Sequence, residues 1–280
     1  MRKQMALAEK SVAPTGQQRT DAWWVQPLLT VMVLGGFIVY ATWRTFENGF
    51  FTTLPIDGYP LNSGTAAFAA GKAVDLLSPF YSPLIAVKWN IMGYNVSPAL
   101  LILPFPLSFR LTCYYYRKAY YRAFFWSPPA CSVQGPIERP KYTGEKFFPF
   151  VLQNLHRFAF YAAFAFIFIL AFDVYKATHM ANGWGISLGT LVLLGNVVLL
   201  SLYTFGCHSW RHLIGGRLDC FSCAPMNRTR YGLWKKATFL NDKHALWAWC
   251  SLFGVMITDL YVRCVATGVI SDPIFFQVTH

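Results

Sequence analysis

The sequence predicts an all-α integral membrane protein, a bundle of about five transmembrane helices with a cytoplasmic N-terminus and an outside C-terminus. Hydrophobic residues make up 55% of the 280 residues and charged residues only 13%, which is about half the charged share of a soluble domain. Apolar runs of bilayer-spanning length recur along the chain. Lys and Arg collect between alternate runs, as they do in the cytoplasmic loops of membrane proteins.

Four apolar runs reach the roughly 20 residues that a helix needs to cross a bilayer. They are Val25–Trp43, a run centred on Phe158–Phe172 with a helical start near Phe147, Gly185–Gly206 and Ala245–Ile270. A less regular span is predicted second in order, within Pro79–Phe109. Because its prolines remove backbone donors, we expect it to be bent and packed inside the bundle. A four-span protein is the alternative.

Charge predicts the orientation and the domain organisation. Most of the 24 Lys and Arg residues lie in an N-terminal tail, 1–22, and in two loops, 110–149 and 207–243. The positive-inside rule places all three in the cytoplasm. We therefore expect a cytoplasmic tail, 1–22, followed by a single helical membrane domain, 23–280, in the inner (plasma) membrane. The net charge of +12 comes with no nucleic-acid-binding motif, so a nucleic-acid partner is excluded.

An aromatic and basic segment, Leu107–Trp126, follows the irregular span. Tyr and Trp favour the membrane interface, and Arg and Lys reach out of it towards water. The segment predicts an interfacial helix or a continuation of span two. It serves either as an aromatic belt or as a docking surface for a peripheral protein.

Most metal-capable side chains gather at the predicted inner face. His208 and His212 are four residues apart and share a helix face; a glycine pair then ends the helix, and Cys220 and Cys223 follow as C-x-x-C. Two imidazoles and two thiolates are the ligands of a Rieske-type [2Fe–2S] cluster. They also suit a structural zinc, and packing without any cofactor remains open.

The predicted metal ligands are therefore His208, His212, Cys220 and Cys223. The alternates are His156, His244, Cys207 and Cys131. A single haem b near the inner face, held by His156 or His208 with His244, is the competing cofactor. Spans one and two contain no histidine, which excludes an anchor with two bis-histidine haems.

Two acids lie towards the outer ends of the spans, Asp173 and Asp259. Arg263 follows Asp259 at i+4, the spacing at which side chains on one helix meet. The sequence thus predicts a local ion pair between Asp259 and Arg263.

The segment Pro104–Cys131, PFPLSFRLTCYYYRKAYYRAFFWSPPAC, together with five spans and a His- and Cys-rich inner face, resembles the membrane-anchor (cytochrome b-like) subunit of actinobacterial succinate dehydrogenase. The resemblance implies an anchor that docks a flavoprotein subunit and an iron–sulfur subunit. It implies that electrons pass to menaquinone at the cytoplasmic membrane face.

On this reading the chain is a non-flavin subunit of a succinate:quinone oxidoreductase with no activity alone. Its catalytic and quinone-binding residues are not assigned by the sequence. A transporter or channel is the alternative from another class, but it would require paired charges at mid-membrane or inverted repeats. An anchor with a structural zinc or no cofactor is the other alternative.

Overall fold

The computed structural model describes residues 22, 24–56, 74–85, 90–91, 94–124, 146–148, 150–180, 183–216, 219–220 and 222–279. The helices are α1 (Val25–Glu47), α2 (Ala99–Ile102), α3 (Pro104–Thr112), α4 (Tyr114–Phe124), α5 (His156–Ala177), α6 (Leu188–Phe205), α7 (His208–Gly215), α8 (Pro225–Asp242) and α9 (His244–Ala266). The strands are β1 (Asn90–Ile91), β2 (Tyr94–Asn95), β3 (His179–Met180), β4 (Gly183–Ser187) and β5 (Ile274–Thr279). Short 3₁₀ helices occupy Pro79–Tyr81 and Phe150–Leu155.

Among the described residues, four helices are long and apolar enough to cross a membrane: α1, α5, α6 and α9. Their large apolar side chains point outwards; Val39 is 70% exposed and Phe168 is 60% exposed. In water such exposure would be costly, whereas lipid covers it. The four regular spans predicted from the sequence are therefore confirmed.

Contacts at the two ends of the bundle give the direction of each helix. At one end, His156 at the start of α5 contacts Cys207, which follows α6, and His244 at the start of α9 contacts Cys113. At the other end, Arg44 near the end of α1 bonds Asp259 near the end of α9. Thus α1, α5 and α9 run in one direction and α6 runs back.

The chain must also return from the end of α1 to the start of α5, and α2–α4 provide that crossing. Ser78, which caps the 3₁₀ helix Pro79–Tyr81, bonds Asp259 at one end, and Phe109 in α3 stacks on His156 at the other. Leu103, between α2 and α3, keeps a helical backbone (φ −63°, ψ −27°), whereas the extended backbone of Cys113 interrupts the helix between α3 and α4. Four of the predicted crossings are continuous helices, and Ala99–Thr112 is a shorter apolar helix that links the two ends of the bundle. The bent fifth span therefore stays a prediction.

A small sheet covers the end of the bundle where α1, α5 and α9 terminate. The strand order is β3-β4-β5, all antiparallel, with Trp184 paired to His179 and to Val278. The predicted span from Gly185 therefore starts later, at Leu188. Ser187 begins α6 by accepting the Thr190 amide at 3.1 Å in a capping box, which fixes the boundary between strand and helix.

The predicted ion pair between Asp259 and Arg263 is wrong. The Asp259 carboxylate accepts from Arg44 Nε at 2.8 Å, and both side chains are fully buried. Arg263 instead bonds Glu47 with Nη2 2.7 Å from Oε1. Helix–helix packing brings the last turn of α1 against α9, so the tertiary partner replaces the local one.

Candidate functional site

A buried group rich in histidine, cysteine and tyrosine lies where α5 and α9 begin and α6 ends. We call it the inner-end cluster and define it by seven residues. They are Phe109, Cys113, Tyr116, His156, Tyr203, Cys207 and His244, of which all except half-buried His156 are buried. Five of them come from five different helices, and Cys113 and Cys207 lie between helices, so no single sequence motif could show the cluster.

Two histidine–cysteine contacts lie within the cluster. His156 Nε2 is 3.1 Å from Cys207 Sγ, and its Nδ1 is 2.9 Å from Thr112 Oγ1. His244 Nε2 is 3.8 Å from Cys113 Sγ. Burial raises the pKa of the Cys207 thiol to about 11, because a thiolate is poorly solvated there. Cys207 therefore stays protonated at neutral pH.

The two histidine rings are each covered by an aromatic ring. His156 stacks on Phe109 at 4.8 Å between centroids, and His244 stacks on Tyr203 at 4.9 Å. Phe109 and Tyr203 meet edge to face at 5.3 Å. The four rings form one continuous aromatic column across the cluster.

Arg110 lies beside this column. Its Nη1 donates to the Tyr116 hydroxyl at 2.5 Å and its Nη2 to Ser251 Oγ at 3.3 Å. The guanidinium also lies 5.1 Å from the Tyr203 ring centroid and 3.4 Å from the Ala248 carbonyl. Within the part of the chain that the structure describes, each of these partners is neutral.

A partly buried cation with neutral partners is unusual inside a membrane and marks a functional site by default. The acids Asp173 and Asp259 lie at the opposite end of the bundle. The site can therefore stabilise negative charge that a bound molecule brings or develops. Sequence reasoning missed this role for Arg110, although an arginine inside the apolar run of α3 was a usable signal.

The predicted metal ligands are not brought together as one group among the described residues. His208 and His212 do share a face of α7, with ring centroids 4.7 Å apart. Cys220 and Cys223, however, are joined to each other by a disulfide, which removes both thiolates. Among the described residues no group of three or more His, Cys, Asp and Glu is arranged to hold a metal ion. The prediction of a Rieske-type [2Fe–2S] cluster is therefore corrected: it is wrong.

The structure places only some of the alternative metal ligands together. His156, His244 and Cys207 do come together in the inner-end cluster, whereas Cys131 lies outside the described residues. The structure gives no support to a haem b held by His156 or His208 with His244. The ring nitrogens that would bind iron face thiols instead: His156 Nε2 lies 3.1 Å from Cys207 Sγ, and His244 Nε2 lies 3.8 Å from Cys113 Sγ.

The solvent-facing surface next to the cluster is basic. Three exposed cations lie on α8, Arg228, Lys235 and Lys236. Arg230 holds the end of α7 by donating to the Ile214 carbonyl at 2.7 Å. Helices α7 and α8 thus form an ordered, positively charged platform at the end of the bundle that carries the cluster.

The apolar helices define a multi-pass membrane protein. Its basic platform and its buried polar cluster lie at the same end of the bundle, as expected for a subunit that meets a partner outside the bilayer. Residues 25–268 match the family model described as actinobacterial succinate dehydrogenase subunit SdhC. The chain belongs to this family and is a membrane subunit of succinate dehydrogenase, as the resemblance of Pro104–Cys131 indicated.

A solved structure agrees with this assignment. A chain of the Mycobacterium smegmatis Sdh1 complex in the apo form is 40% identical, with a TM-score of 0.75 over 95% of this chain and 98% of that one. A comparison with curated proteins finds no match. The family assignment gives no support to a transporter or channel.

Proposed function

We propose that this chain anchors the flavoprotein and iron–sulfur subunits of succinate dehydrogenase at the cytoplasmic membrane face and binds menaquinone beside Arg110. The observation that carries the proposal is the Arg110 guanidinium, held among neutral hydroxyl, ring and carbonyl groups. The cytoplasmic assignment of the tail 1–22 and of the loops 110–149 and 207–243 is part of the same proposal.

Charge supports the docking role. The platform on α7 and α8 is positively charged, and complementary potentials steer and orient protein partners. The chain supplies no Gly-rich flavin-binding fingerprint, so succinate oxidation is left to the partner subunits. Alone, the chain is expected to oxidise no succinate.

The chemistry of quinone reduction explains why a cation belongs at this position. A quinone takes up two electrons, delivered by the iron–sulfur subunit, and two protons from the cytoplasmic side. Negative charge develops on its oxygens before protonation is complete. Arg110 can stabilise that charge, since a fixed donor in a low-dielectric site acts strongly on charge that develops there. Tyr116 and Ser251 hold the guanidinium in place.

The test is Arg110→Gln in the whole complex. Loss of one such donor typically costs about 10²–10³ in rate, so succinate-driven menaquinone reduction should fall by roughly that factor. Reduction of a soluble dye from the partner subunits should be unchanged. Exposed Arg157, at the start of α5, provides the matched control as Arg157→Gln.

Arg110→Lys separates charge from shape and should restore part of the menaquinone activity. Unchanged menaquinone reduction in Arg110→Gln would refute the assignment of Arg110. A parallel loss of dye reduction, or loss of the partner subunits on purification, would show that the substitution acts through assembly instead.

A further inference from the structure

Helix α4 carries a concave basic surface that the proposed electron-transfer role does not use. Its volume is about 280 Å³, and it is lined by Tyr114, Arg117, Lys118, Tyr121 and Arg122. These positions are spaced at i, i+3, i+4, i+7 and i+8, so they form one face of the helix. We define these five residues as the α4 basic face.

The α4 basic face concentrates positive charge. Three of its five residues are cations, and the sequence of α4 from Tyr114 to Phe124 contains no Asp or Glu. The Arg117 guanidinium lies 5.5 Å from the Tyr114 ring centroid. Tyr116 and Ala123 are buried on the side that packs into the bundle, whereas Lys118 is exposed and Arg117 and Arg122 are half-buried, so α4 is amphipathic.

The depth of α4 matches that of lipid headgroups. Cys113, immediately before α4, contacts His244, the first residue of the membrane-spanning helix α9, and the Tyr115 ring lies 5.3 Å from the His244 ring. Helix α4 thus begins at the level where α9 enters the bilayer. Phosphate groups lie in the polar layer that borders the hydrocarbon core.

Exposed apolar side chains lie on α3, the helix that precedes α4 in the chain. Leu107 and Leu111 of α3 are 51% and 49% exposed, and they precede the α4 basic face directly in the chain. A lipid offers a phosphate to the cations and acyl chains to these leucines at the same time. An acidic protein segment would match only the charge.

From these observations we infer that the α4 basic face binds the headgroup of an anionic glycerophospholipid. Basic pockets beside membrane helices are suited to such headgroups, and each Lys or Arg near the surface contributes about a factor of five to binding. The site is independent of the menaquinone proposal.

The test uses the purified complex and native mass spectrometry with added dioleoyl phosphatidylglycerol or dioleoyl phosphatidylcholine. The wild-type complex should bind phosphatidylglycerol more tightly than phosphatidylcholine. The triple variant Arg117→Gln/Lys118→Gln/Arg122→Gln should weaken phosphatidylglycerol binding by roughly 100-fold. Inorganic phosphate at equal concentration should not compete, because it lacks acyl chains.

Two further variants serve as controls. Arg228→Gln/Lys235→Gln/Lys236→Gln removes the same charge from exposed positions of α8 and should leave phosphatidylglycerol binding unchanged. Arg117→Lys/Arg122→Lys keeps the charge and should retain most of the affinity.

Wild-type phosphatidylglycerol affinity in the α4 triple variant would overturn the inference. So would loss of the iron–sulfur subunit from that variant with lipid binding intact, since the surface would then belong to the protein partner. If the α8 control variant weakened phosphatidylglycerol binding equally, the effect would follow from net charge alone, and this would also count against the site. None of these outcomes depends on the menaquinone activity of Arg110→Gln.

Discussion

At the scale of single residues, the strongest constraint on this fold is the buried pair of Arg44 and Asp259. Both side chains are fully buried. The Asp259 carboxylate also accepts from the Tyr40 hydroxyl and the Ser78 hydroxyl, each at 2.5 Å. One carboxylate thus joins α1, the segment before α2, and α9. A charge inside a bilayer is tolerated only when it is paired in this way.

Removing either charge of this pair should destabilise the protein strongly. Arg44→Met leaves Asp259 buried without its cation, and such a loss typically costs about 3–5 kcal/mol. Asp259→Asn should be costly for the same reason, although Glu47 still pairs with Arg44. Denaturant titration in detergent measures the free energy of unfolding of both variants and checks these losses.

The double variant Arg44→Met/Asp259→Leu provides the control for this pair. Because it leaves no unpaired charge, it should be less destabilised than Arg44→Met alone. Tyr40→Phe should cost less, about 1.5–3 kcal/mol, since a single hydroxyl donor to the carboxylate is lost. If Arg44→Met lowered the unfolding free energy no more than Tyr40→Phe does, the pair would not hold the bundle.

At the scale of elements, hydropathy predicted the continuous helices but not the sheet. The runs that became α1, α5, α6 and α9 are long enough to stand out from any other element. The strand β4, GWGIS, is apolar and directly precedes α6. Hydropathy therefore predicted the strand and the helix as one continuous span. Its partner β5 lies more than eighty residues further on, and that pairing leaves no local pattern in the sequence.

In the predicted bent span, by contrast, local residues did predict an irregular helix. Pro98, Pro104 and Pro106 predicted an interrupted helix, because proline removes donors and disfavours helix in the residue before it. In the structure the backbone at Leu103, before Pro104, stays helical. The break in backbone conformation lies at Cys113, which has no proline beside it and contacts His244. Local chemistry therefore predicted a break near the prolines and missed the one at Cys113.

Gly185 tests whether the sheet matters to the fold. A Cβ at this position would lie 2.5 Å from the Phe276 backbone oxygen, and backbone cannot move aside cheaply. Gly185→Ala should therefore separate β4 from β5 and cost about 1–3 kcal/mol, as overpacking does. Thermal unfolding and hydrogen exchange of Ile274–Thr279 measure the two effects.

Gly195 in the middle of α6 is the matched control, since a Cβ there meets nothing within 4 Å. Gly195→Ala should be neutral or stabilise by up to about 1 kcal/mol through helix propensity. Unchanged exchange of β5 amides in Gly185→Ala would contradict the strand pairing.

At the scale of the whole molecule, charge and residue pattern predicted the class of protein. The spacing of histidines and cysteines, however, predicted the wrong cofactor. The basic loops and the segment Pro104–Cys131 pointed to a respiratory membrane subunit, and the family match confirms it. The quartet around Cys220 and Cys223 failed because a C-x-x-C motif reads identically as thiolate ligands or as a disulfide. Arg110 was overlooked because its partners come from α4, α6 and α9.

The disulfide that displaced the metal prediction also offers a test of membrane orientation. Cys220 and Cys223 lie between α7 and α8, at the end of the bundle that the positive-inside rule places in the cytoplasm. Exposed Ser271 lies at the opposite end, between α9 and β5. The two positions should therefore react from opposite sides of the membrane.

A membrane-impermeant maleimide, applied after mild reduction to a Cys264→Ser variant, should label Cys220 and Cys223 in inverted vesicles but not in right-side-out vesicles. Ser271→Cys in the same background should label in right-side-out vesicles only, because the membrane-spanning helix α9 lies between it and Cys223. Cys113 and Cys207 are buried and should remain unlabelled in both preparations. Labelling of Cys220 and Cys223 in right-side-out vesicles would reverse the orientation, and the basic platform on α7 and α8 could then no longer dock a cytoplasmic partner.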